Sequence, residues 1–145
     1  MPHYRSRKEE KVYIKYLKRR RKSDAKCQFC DISDEHKPYI NETKHFLVIR
    51  NLFPYSIWDG RRVTDHLMIV PKQHTETLNS LGEDAAVEYV KLVSKYEHDG
   101  YNVYARAPDS IIKSVPHQHT HLIKTTGKAL KTLFYVDKPY LRIAL

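Results

Sequence analysis

The sequence is poor in the residues and segments that mark several special classes of protein. It contains four glycines and seven prolines among 145 residues, a proportion that excludes collagen-like, low-complexity and wholly disordered chains. Its strongest apolar run, Leu67 to Val70, spans four residues, whereas a membrane-spanning helix needs roughly 18. The N-terminus is basic, but no hydrophobic stretch follows it as in a secretory signal. We therefore expect a cytoplasmic protein that does not cross a membrane.

What the chain does contain is sufficient for a folded domain. Hydrophobic residues make up 41% of the sequence, and 11 tyrosines, four phenylalanines and one tryptophan provide large side chains. A chain of this length usually forms one compact domain and buries roughly two thirds of the surface that its unfolded form exposes. The composition therefore predicts one domain with a substantial core.

The excess of positive charge is concentrated near the N-terminus. The chain carries 26 basic and 17 acidic residues, a formal net charge of +9, and residues 1–26 hold 11 of the basic and three of the acidic ones. Within this segment four apolar residues recur at helical spacing: Val12, Tyr13, Tyr16 and Leu17. They predict a helix over about residues 8–22 with one apolar stripe. We interpret residues 1–26 as a basic arm and residues 27–145 as the domain.

The remaining pattern predicts an α+β fold with a largely antiparallel sheet and one long core helix. Strands without a regular βαβ alternation favour this class. The helix is expected over about residues 82–98, where apolar residues lie mostly on one face and Gly100 follows as a stop signal. Loops are expected over residues 51–60 and 105–113. Strands are expected over residues 39–40, 46–49, 66–70, 101–104, 117–123 and 133–136.

Three of the nine histidines alternate in one short run, His117-Gln118-His119-Thr120-His121. On a strand, successive side chains face opposite ways, so the three imidazoles would share one face. Such a cluster suits two chemistries: three ligands for a catalytic metal, or one nucleophilic histidine flanked by two helpers.

A pair of cysteines, Cys27 and Cys30, stands in a Cys-x-x-Cys spacing. In a cytoplasmic protein this spacing is typical of a zinc knuckle, although a complete structural site needs two further ligands. A pair of buried thiols and a redox pair are the alternatives.

These motifs together resemble the histidine triad (HIT) superfamily, in its zinc-containing branch. The resemblance rests on three blocks in the family's order: Cys27 to Cys30, His66 to His74 with its Val-Pro-Lys-x-His ending, and Ser114 to Ile123. It implies a HIT-like fold, a homodimer, and a nucleotide hydrolase or nucleotidyl transferase. It also implies a structural zinc ion held by Cys27, Cys30, His74 and His117.

The resemblance implies a covalent mechanism. The middle histidine, His119, would attack the α-phosphorus of a nucleotide phosphoramidate, phosphoanhydride or dinucleoside polyphosphate and form a nucleotidyl-histidine intermediate. His121 would support the phosphate and the leaving group, His117 would complete the triad, and Ser114 would donate a hydrogen bond to phosphate oxygens. His66 would lie near the same face.

Departures from the family pattern concern the nucleotide-binding residues, for which we select Asn51, Arg106, Lys113 and His66. Arg106 stands where Asn is common and Lys113 where Gln is usual, so the phosphate side is more cationic. This favours a more anionic substrate, or it reflects local drift in a loop. Asn51 stands where many members use an acidic residue to hold the ribose.

The basic arm lies outside the resemblance and leaves two interpretations open. It is either a solvated helix or a contact surface for a polyanion such as nucleic acid. The alternative function is therefore a nucleic-acid-binding HIT-like module, or a hydrolase of adenylated nucleic acid ends, with weak or no mononucleotide turnover. If the arm binds nucleic acid, removal of residues 1–22 is expected to abolish salt-sensitive nucleic acid binding and to leave mononucleotide turnover intact.

Overall fold

The structure is a computed structural model that describes residues 4–22, 27–32, 39–131, 133–137 and 140–144. Within these ranges the chain forms two α-helices and eight β-strands, joined in one place by a short 3₁₀ turn. In chain order they are α1 (Arg7–Lys22), β1 (Tyr39–Glu42), β2 (Phe46–Arg50), β3 (Ile57–Trp58), β4 (Arg61–Pro71), the 3₁₀ turn (Leu78–Ser80), α2 (Glu83–His98), β5 (Asn102–Ala105), β6 (Thr120–Ala129), β7 (Leu133–Asp137) and β8 (Tyr140–Ala144). Neither α-helix is long and apolar enough to span a membrane.

One antiparallel sheet organises the fold. Its strands follow the order β1–β2–β4–β6–β5, and β3 pairs with β4 beside this path. The central pair, β4 and β6, extends from Ile69 opposite Thr120 to Arg61 opposite Ala129, with register shifts on either side of Val63. β7 and β8 form a separate two-stranded sheet. The architecture is the α+β class with an antiparallel sheet that the sequence predicts.

Both faces of the central strands are buried, which explains the continuous apolar run in β4. Leu67 and Ile69 point into a core with α2, whereas Met68 and Val70 join a second cluster around Phe29 on the opposite face. A strand that is covered on both sides needs apolar residues at every position and not at alternate ones. The 27–32 segment therefore covers the face of the sheet opposite α2.

Helix α2 forms where the sequence predicts it. Gly82 is its N-cap, and Glu83 and Asp84 place negative charge in the first turn, where the helix dipole favours it. Leu92 and Tyr96 are buried against the sheet. Gly100 follows the helix with φ +85°, a conformation that glycine adopts without strain.

Helix α1 is docked on the domain. Ser6 and Glu9 form a capping box, in which the Glu9 carboxylate accepts a hydrogen bond from Ser6 N (2.9 Å) and the Ser6 hydroxyl lies 3.3 Å from Glu9 N. Just before the helix, Tyr4 forms a β-bridge with Ile57. Tyr16 packs against Phe53, with ring centroids 4.8 Å apart. The predicted helix is confirmed.

Three sequence expectations need correction. The segment expected to be a loop over residues 51–60 contains β3, which forms a tight hairpin with β4 through Asp59 (φ 47°) and Gly60 (φ 66°). The strand expected over residues 117–123 begins only at Thr120, because Gln118 N donates its hydrogen bond to the Thr75 carbonyl (2.6 Å) and not to a neighbouring strand. In the arm, Val12 is 54% exposed, although it belongs to the predicted apolar stripe.

Candidate active site

A cavity of about 590 Å³, which we call the triad cavity, opens beside the histidine run. Its wall contains six of the residues selected from the sequence: Asn51, Arg106, Lys113, Ser114, His119 and His121. His66 and His117 do not line it. His66 lies behind His121, and His117 lies among the two cysteines and His74. The triad is therefore divided between two adjacent sites.

The predicted alternation nevertheless brings the three imidazoles to one side of the chain. The His119 and His121 rings are 5.0 Å apart and nearly perpendicular. Phe29 contacts both His117 and His119, with ring centroids 5.6 Å and 5.2 Å away. The intervening Thr120 points the other way, where its hydroxyl lies 2.9 Å from the hydroxyl of Tyr89 on α2.

His119 is held in one tautomer by the main chain. Its Nδ1 lies 2.9 Å from the carbonyl oxygen of His117, and because a carbonyl can only accept, Nδ1 must carry the proton. The proton-free Nε2 is then the nitrogen with an available lone pair. Burial lowers the pKa of His119 below its ordinary value, and the cations Lys113 and Arg106 lower it further. Both effects favour the neutral, nucleophilic imidazole.

His121 is oriented by His66, which is 2% exposed. Tyr55 N donates to His66 Nδ1 (3.1 Å), so the neutral His66 ring carries its proton on Nε2. That Nε2 lies 2.9 Å from His121 Nδ1 and 3.1 Å from Asn51 Nδ2. An amide nitrogen cannot accept a hydrogen bond, so His121 Nδ1 is the acceptor of the Nε2 proton. His121 is left with its own proton on Nε2. Burial, together with the charges around it, lowers the pKa of His121 well below the ordinary value, so this ring is also neutral near pH 7.

Cationic groups surround the two histidines of the cavity. Arg106 Nη2 lies 3.4 Å from the Tyr55 hydroxyl, and its guanidinium stands 5.3 Å from the centre of the Tyr104 ring. Lys113 Nζ donates to the Glu76 carbonyl (3.1 Å), and burial lowers the pKa of Lys113 below its ordinary value. Ser114 lies on the same wall. This arrangement suits an anionic ligand such as phosphate.

The cysteines and two histidines converge on a second, adjacent site. The ligand atoms of Cys27, Cys30, His74 and His117 all lie within 4.8 Å of one another. His117 Nδ1 is 3.3 Å from Cys27 Sγ and 3.5 Å from Cys30 Sγ, and His74 Nδ1 is 3.3 Å from Cys30 Sγ. Both cysteines are thiols, not partners in a disulfide.

The geometry of this site fits a tetrahedral metal ion. Zn–S bonds of about 2.3 Å and Zn–N bonds of about 2.0–2.1 Å separate sulfur and nitrogen ligands by about 3.6 Å, close to the distances between these donor atoms. His117 Nε2 lies 3.0 Å from the Pro71 carbonyl oxygen. This contact assigns the proton to Nε2 and leaves Nδ1, the nitrogen nearest the thiols, as a metal ligand.

The sequence interpretation missed the contribution of the arm to the triad cavity. Arg5, Glu10 and two α1 tyrosines line the cavity, together with Phe53 and Tyr55. Two patterns could have revealed this contact. The Ser6-x-x-Glu9 capping box marks where the helix starts, and the spacing of Tyr13 and Tyr16 places both rings on one helical face.

Comparisons with known proteins find relatives in sequence and in structure. The family model of the HIT domain matches residues 34–128. The adenosine 5′-monophosphoramidase HNT1 of Candida albicans is 28% identical over 120 residues, covering 74% of this chain and 75% of that protein. A hypothetical protein from Leishmania major has a similar structure (TM-score 0.57, 27% identity, 81% of this chain and 87% of that one). So does a zinc-bound histidine triad family protein from Mycobacterium smegmatis (TM-score 0.52, 25% identity, 70% and 76%). This chain belongs to the HIT family.

Proposed function

We propose that the protein is a nucleotide hydrolase or nucleotidyl transferase that acts at the α-phosphorus through His119. Membership of the HIT family supports nucleotide hydrolysis or transfer in general, and one relative is named as an adenosine 5′-monophosphoramidase. The observation that carries the finer proposal is the hydrogen bond from His119 Nδ1 to the His117 carbonyl (2.9 Å). It leaves Nε2 of a neutral ring as the nucleophile on the wall of a cavity with cationic residues.

The proposed reaction has two displacements at phosphorus. In the first, His119 Nε2 forms a bond to the α-phosphorus while the bond to the leaving group breaks. His121 Nε2–H donates a hydrogen bond to the departing atom, which leaves as an oxyanion from a phosphoanhydride or takes a proton from solvent water as the nitrogen of a phosphoramidate. In the second, water attacks the phosphorus of the nucleotidyl-histidine and releases its proton to the solvent, while the nitrogen–phosphorus bond breaks and restores neutral His119. An acceptor other than water would make the same step a transfer.

The cationic wall would stabilise the phosphoryl group during both displacements. Lys113 and Arg106 are positioned by protein contacts before any substrate binds, so little reorganisation accompanies the reaction. Ser114 would donate a hydrogen bond to a phosphate oxygen. Asn51, whose Oδ1 accepts from Phe53 N (2.9 Å), would contact the ribose through its amide.

We propose that the cysteine–histidine site binds a structural zinc ion. When bound, zinc supplies a tetrahedral cross-link between the 27–30 segment, His74 and His117. His117 would then be held at both ring nitrogens, by the metal at Nδ1 and by Pro71 at Nε2. Since the His117 carbonyl accepts the Nδ1 proton of His119, this cross-link would indirectly position the nucleophile.

A homodimer is also part of the proposal. The exposed side of α2 presents Val87 (51% exposed) and Val90 (64%), and the neighbouring edge strand β5 presents Val103 (40%). Burial of such residues would favour pairing of two subunits. Light scattering of the protein and of Val90→Glu tests this, since a dimer of the first and a monomer of the second is the expected result.

The outer face of α1 favours a second candidate function. Six described cations of the helix are exposed: Arg7, Lys8, Lys11, Lys15, Lys18 and Arg19. The opposite side of the same helix lines the triad cavity, so a nucleic acid strand bound to the helix would lie one helix diameter, about 10 Å, from the cavity. In this second candidate the substrate is an adenylated nucleic acid end. Its binding would weaken steeply with salt and on replacement of Lys11 and Lys15 by Gln.

Mass spectrometry of rapidly quenched mixtures tests the proposed reaction. Wild-type protein mixed with an adenosine phosphoramidate should show a nucleotidyl adduct, and His119→Asn should show none while still binding the nucleotide. His98→Asn is the matched control, because His98 is exposed at the end of α2. Persistent turnover in His119→Asn would show that another group is the nucleophile.

A further inference from the structure

Arg5, which precedes α1, contributes its side chain to the triad cavity from outside the matched family segment. The side chain is only 13% exposed. Its guanidinium lies 4.1 Å from the centre of the Tyr13 ring and 4.8 Å from that of Tyr55, and its Nε donates to the Phe53 carbonyl (3.1 Å). A cation held at several points on a cavity wall is preorganised for a ligand.

The hydrogen-bonding capacity of Arg5 is only partly used. A guanidinium has five N–H donors, and among the described residues only Phe53 accepts one of them. The nearest carboxylate, that of Glu10, is 3.9 Å from Nη1, too far for a hydrogen bond. The remaining Nη donors of this largely buried side chain are therefore available to an anion in the cavity.

Arg5 stands on the leaving-group side of the proposed reaction. The Tyr55 ring contacts both the Arg5 guanidinium and His121, whose ring centroid is 5.8 Å away. The Tyr55 hydroxyl is also 3.4 Å from Arg106 Nη2. Two guanidinium groups thus meet at one tyrosine beside His121, the histidine proposed to face the leaving group.

The net positive charge of the cavity wall is larger than the single negative charge of one phosphodiester-like group. Its wall carries three cationic side chains, Arg5, Arg106 and Lys113, and one carboxylate, Glu10. A nucleotide phosphoramidate offers one negative charge at the α-phosphorus. A substrate with a second phosphate beyond the α-phosphorus would bring the charge that the two arginines match, and arginine forms bidentate hydrogen bonds with phosphate oxygens.

From this geometry we infer that Arg5 binds a phosphate of the leaving group and selects phosphoanhydride substrates over phosphoramidates. The inference depends on the proposed reaction at His119 and adds the substrate class. A phosphoanhydride could belong to a dinucleoside polyphosphate or to an adenylated nucleic acid end, which share the phosphate next to the cleaved bond. In either case the N-terminal segment determines specificity.

The test compares kcat/KM for diadenosine triphosphate and for an adenosine phosphoramidate. Arg5→Gln should lower the value for the triphosphate about 10- to 100-fold, since a charge-assisted hydrogen bond is lost, and at least tenfold more than the value for the phosphoramidate. Arg5→Lys should show a smaller selective loss. Arg7→Gln is the matched control, because Arg7 has the same charge but is exposed and does not line the cavity.

Two further measurements separate the interpretations. Equal losses on both substrates, or no loss on either, would overturn the inference while leaving the proposed reaction in place. No turnover of either substrate by wild-type protein would instead overturn the proposed function. With adenylated DNA as a third substrate, Lys11→Gln/Lys15→Gln lowers kcat/KM only if the outer face of α1 binds the strand, whereas Arg5→Gln lowers it in any case. Ser56→Ala loosens the start of the helix from outside the cavity, because the Ser56 hydroxyl accepts from Ser6 N (2.7 Å) and does not line the cavity. A selective loss in this variant would show that docking alone explains the effect.

Discussion

Replacement of His66 is expected to slow catalysis although this residue does not touch the cavity. His66→Phe keeps an aromatic ring of similar size but removes the Nε2 donor that faces His121 Nδ1 at 2.9 Å. His121 is buried, so its Nδ1 would lose its partner without gaining water. Leaving a buried acceptor unsatisfied costs about 1–3 kcal/mol.

That cost determines the size of the effect. The transition state requires the His121 tautomer that carries its proton on Nε2. If the free-energy cost raises this transition state, kcat decreases about 5- to 150-fold at 25 °C. KM should change less than kcat, since His66 is absent from the cavity wall and reaches it only through His121 and through Asn51, whose Nδ2 lies 3.1 Å from His66 Nε2. His66→Gln should recover part of kcat, because its amide N–H can replace the Nε2 donor. A general loss of packing would not make the kcat of His66→Gln higher than that of His66→Phe.

Steady-state kinetics with an adenosine phosphoramidate provides the assay, and equilibrium unfolding in urea provides the control for stability. The expected pattern is a kcat defect in His66→Phe that exceeds the defect in His66→Gln, at protein concentrations and temperatures where both variants are folded. A folded His66→Phe with kcat within twofold of wild type would refute the assignment of the His121 tautomer.

Three further predictions concern the arm and the metal site. Removal of residues 1–22 should lower mononucleotide turnover, the opposite of the sequence expectation, because the segment lines the cavity; unchanged kcat/KM would contradict this. The Ser56 hydroxyl lowers the pKa of Glu9 below its ordinary value near 4.5, so this contact stabilises docking above that value and is lost as the pH falls through the lower, folded-state pKa. Trp58 fluorescence should follow that transition in wild type but not in Glu9→Gln. Cys27→Ser should abolish stoichiometric zinc binding and lower the free energy of unfolding, and purified wild-type protein without zinc would exclude the structural ion.

Much of the fold could be predicted from local patterns. The apolar face of α2 has a helical period, and the short apolar run in β4 that ends at Pro71 has the length of a buried strand. Both elements lie where they were predicted, although β4 begins at Arg61, five residues before the predicted strand. β3 was missed because two residues are too short for a periodic signal. The Asp59-Gly60 pair was the available clue, since this dipeptide favours the positive φ values of a two-residue hairpin turn.

The alternation of side chains along a strand predicted that the three histidines lie on one side of the chain. It did not predict that His117 belongs to the cysteine–histidine site while His119 and His121 line the triad cavity. The strand begins only at Thr120, yet His117 and His119 still contact the same ring of Phe29. Which site each imidazole joins depends on contacts far away in sequence. His117 meets Cys27, which is 90 residues distant, and His121 meets His66, which is 55 residues distant. The spacing of residues within each motif does not predict either of these long-range contacts.

The role of the arm was the hardest to predict, because its charge indicates a segment exposed to solvent or to a polyanion, whereas its contacts in the structure dock it on the domain. Cations crowded at one end of a chain predict a solvated or polyanion-binding segment, and the exposed side of α1 agrees with that prediction. Docking depends instead on uncharged contacts of the other side, such as the Tyr4 bridge to Ile57 and the packing of Tyr16 on Phe53. Once these hold the segment, Arg5 lies in the triad cavity as a consequence. A charge count over residues 1–26 averages these two sides together, so it cannot separate the cation that lines the cavity from those that face solvent.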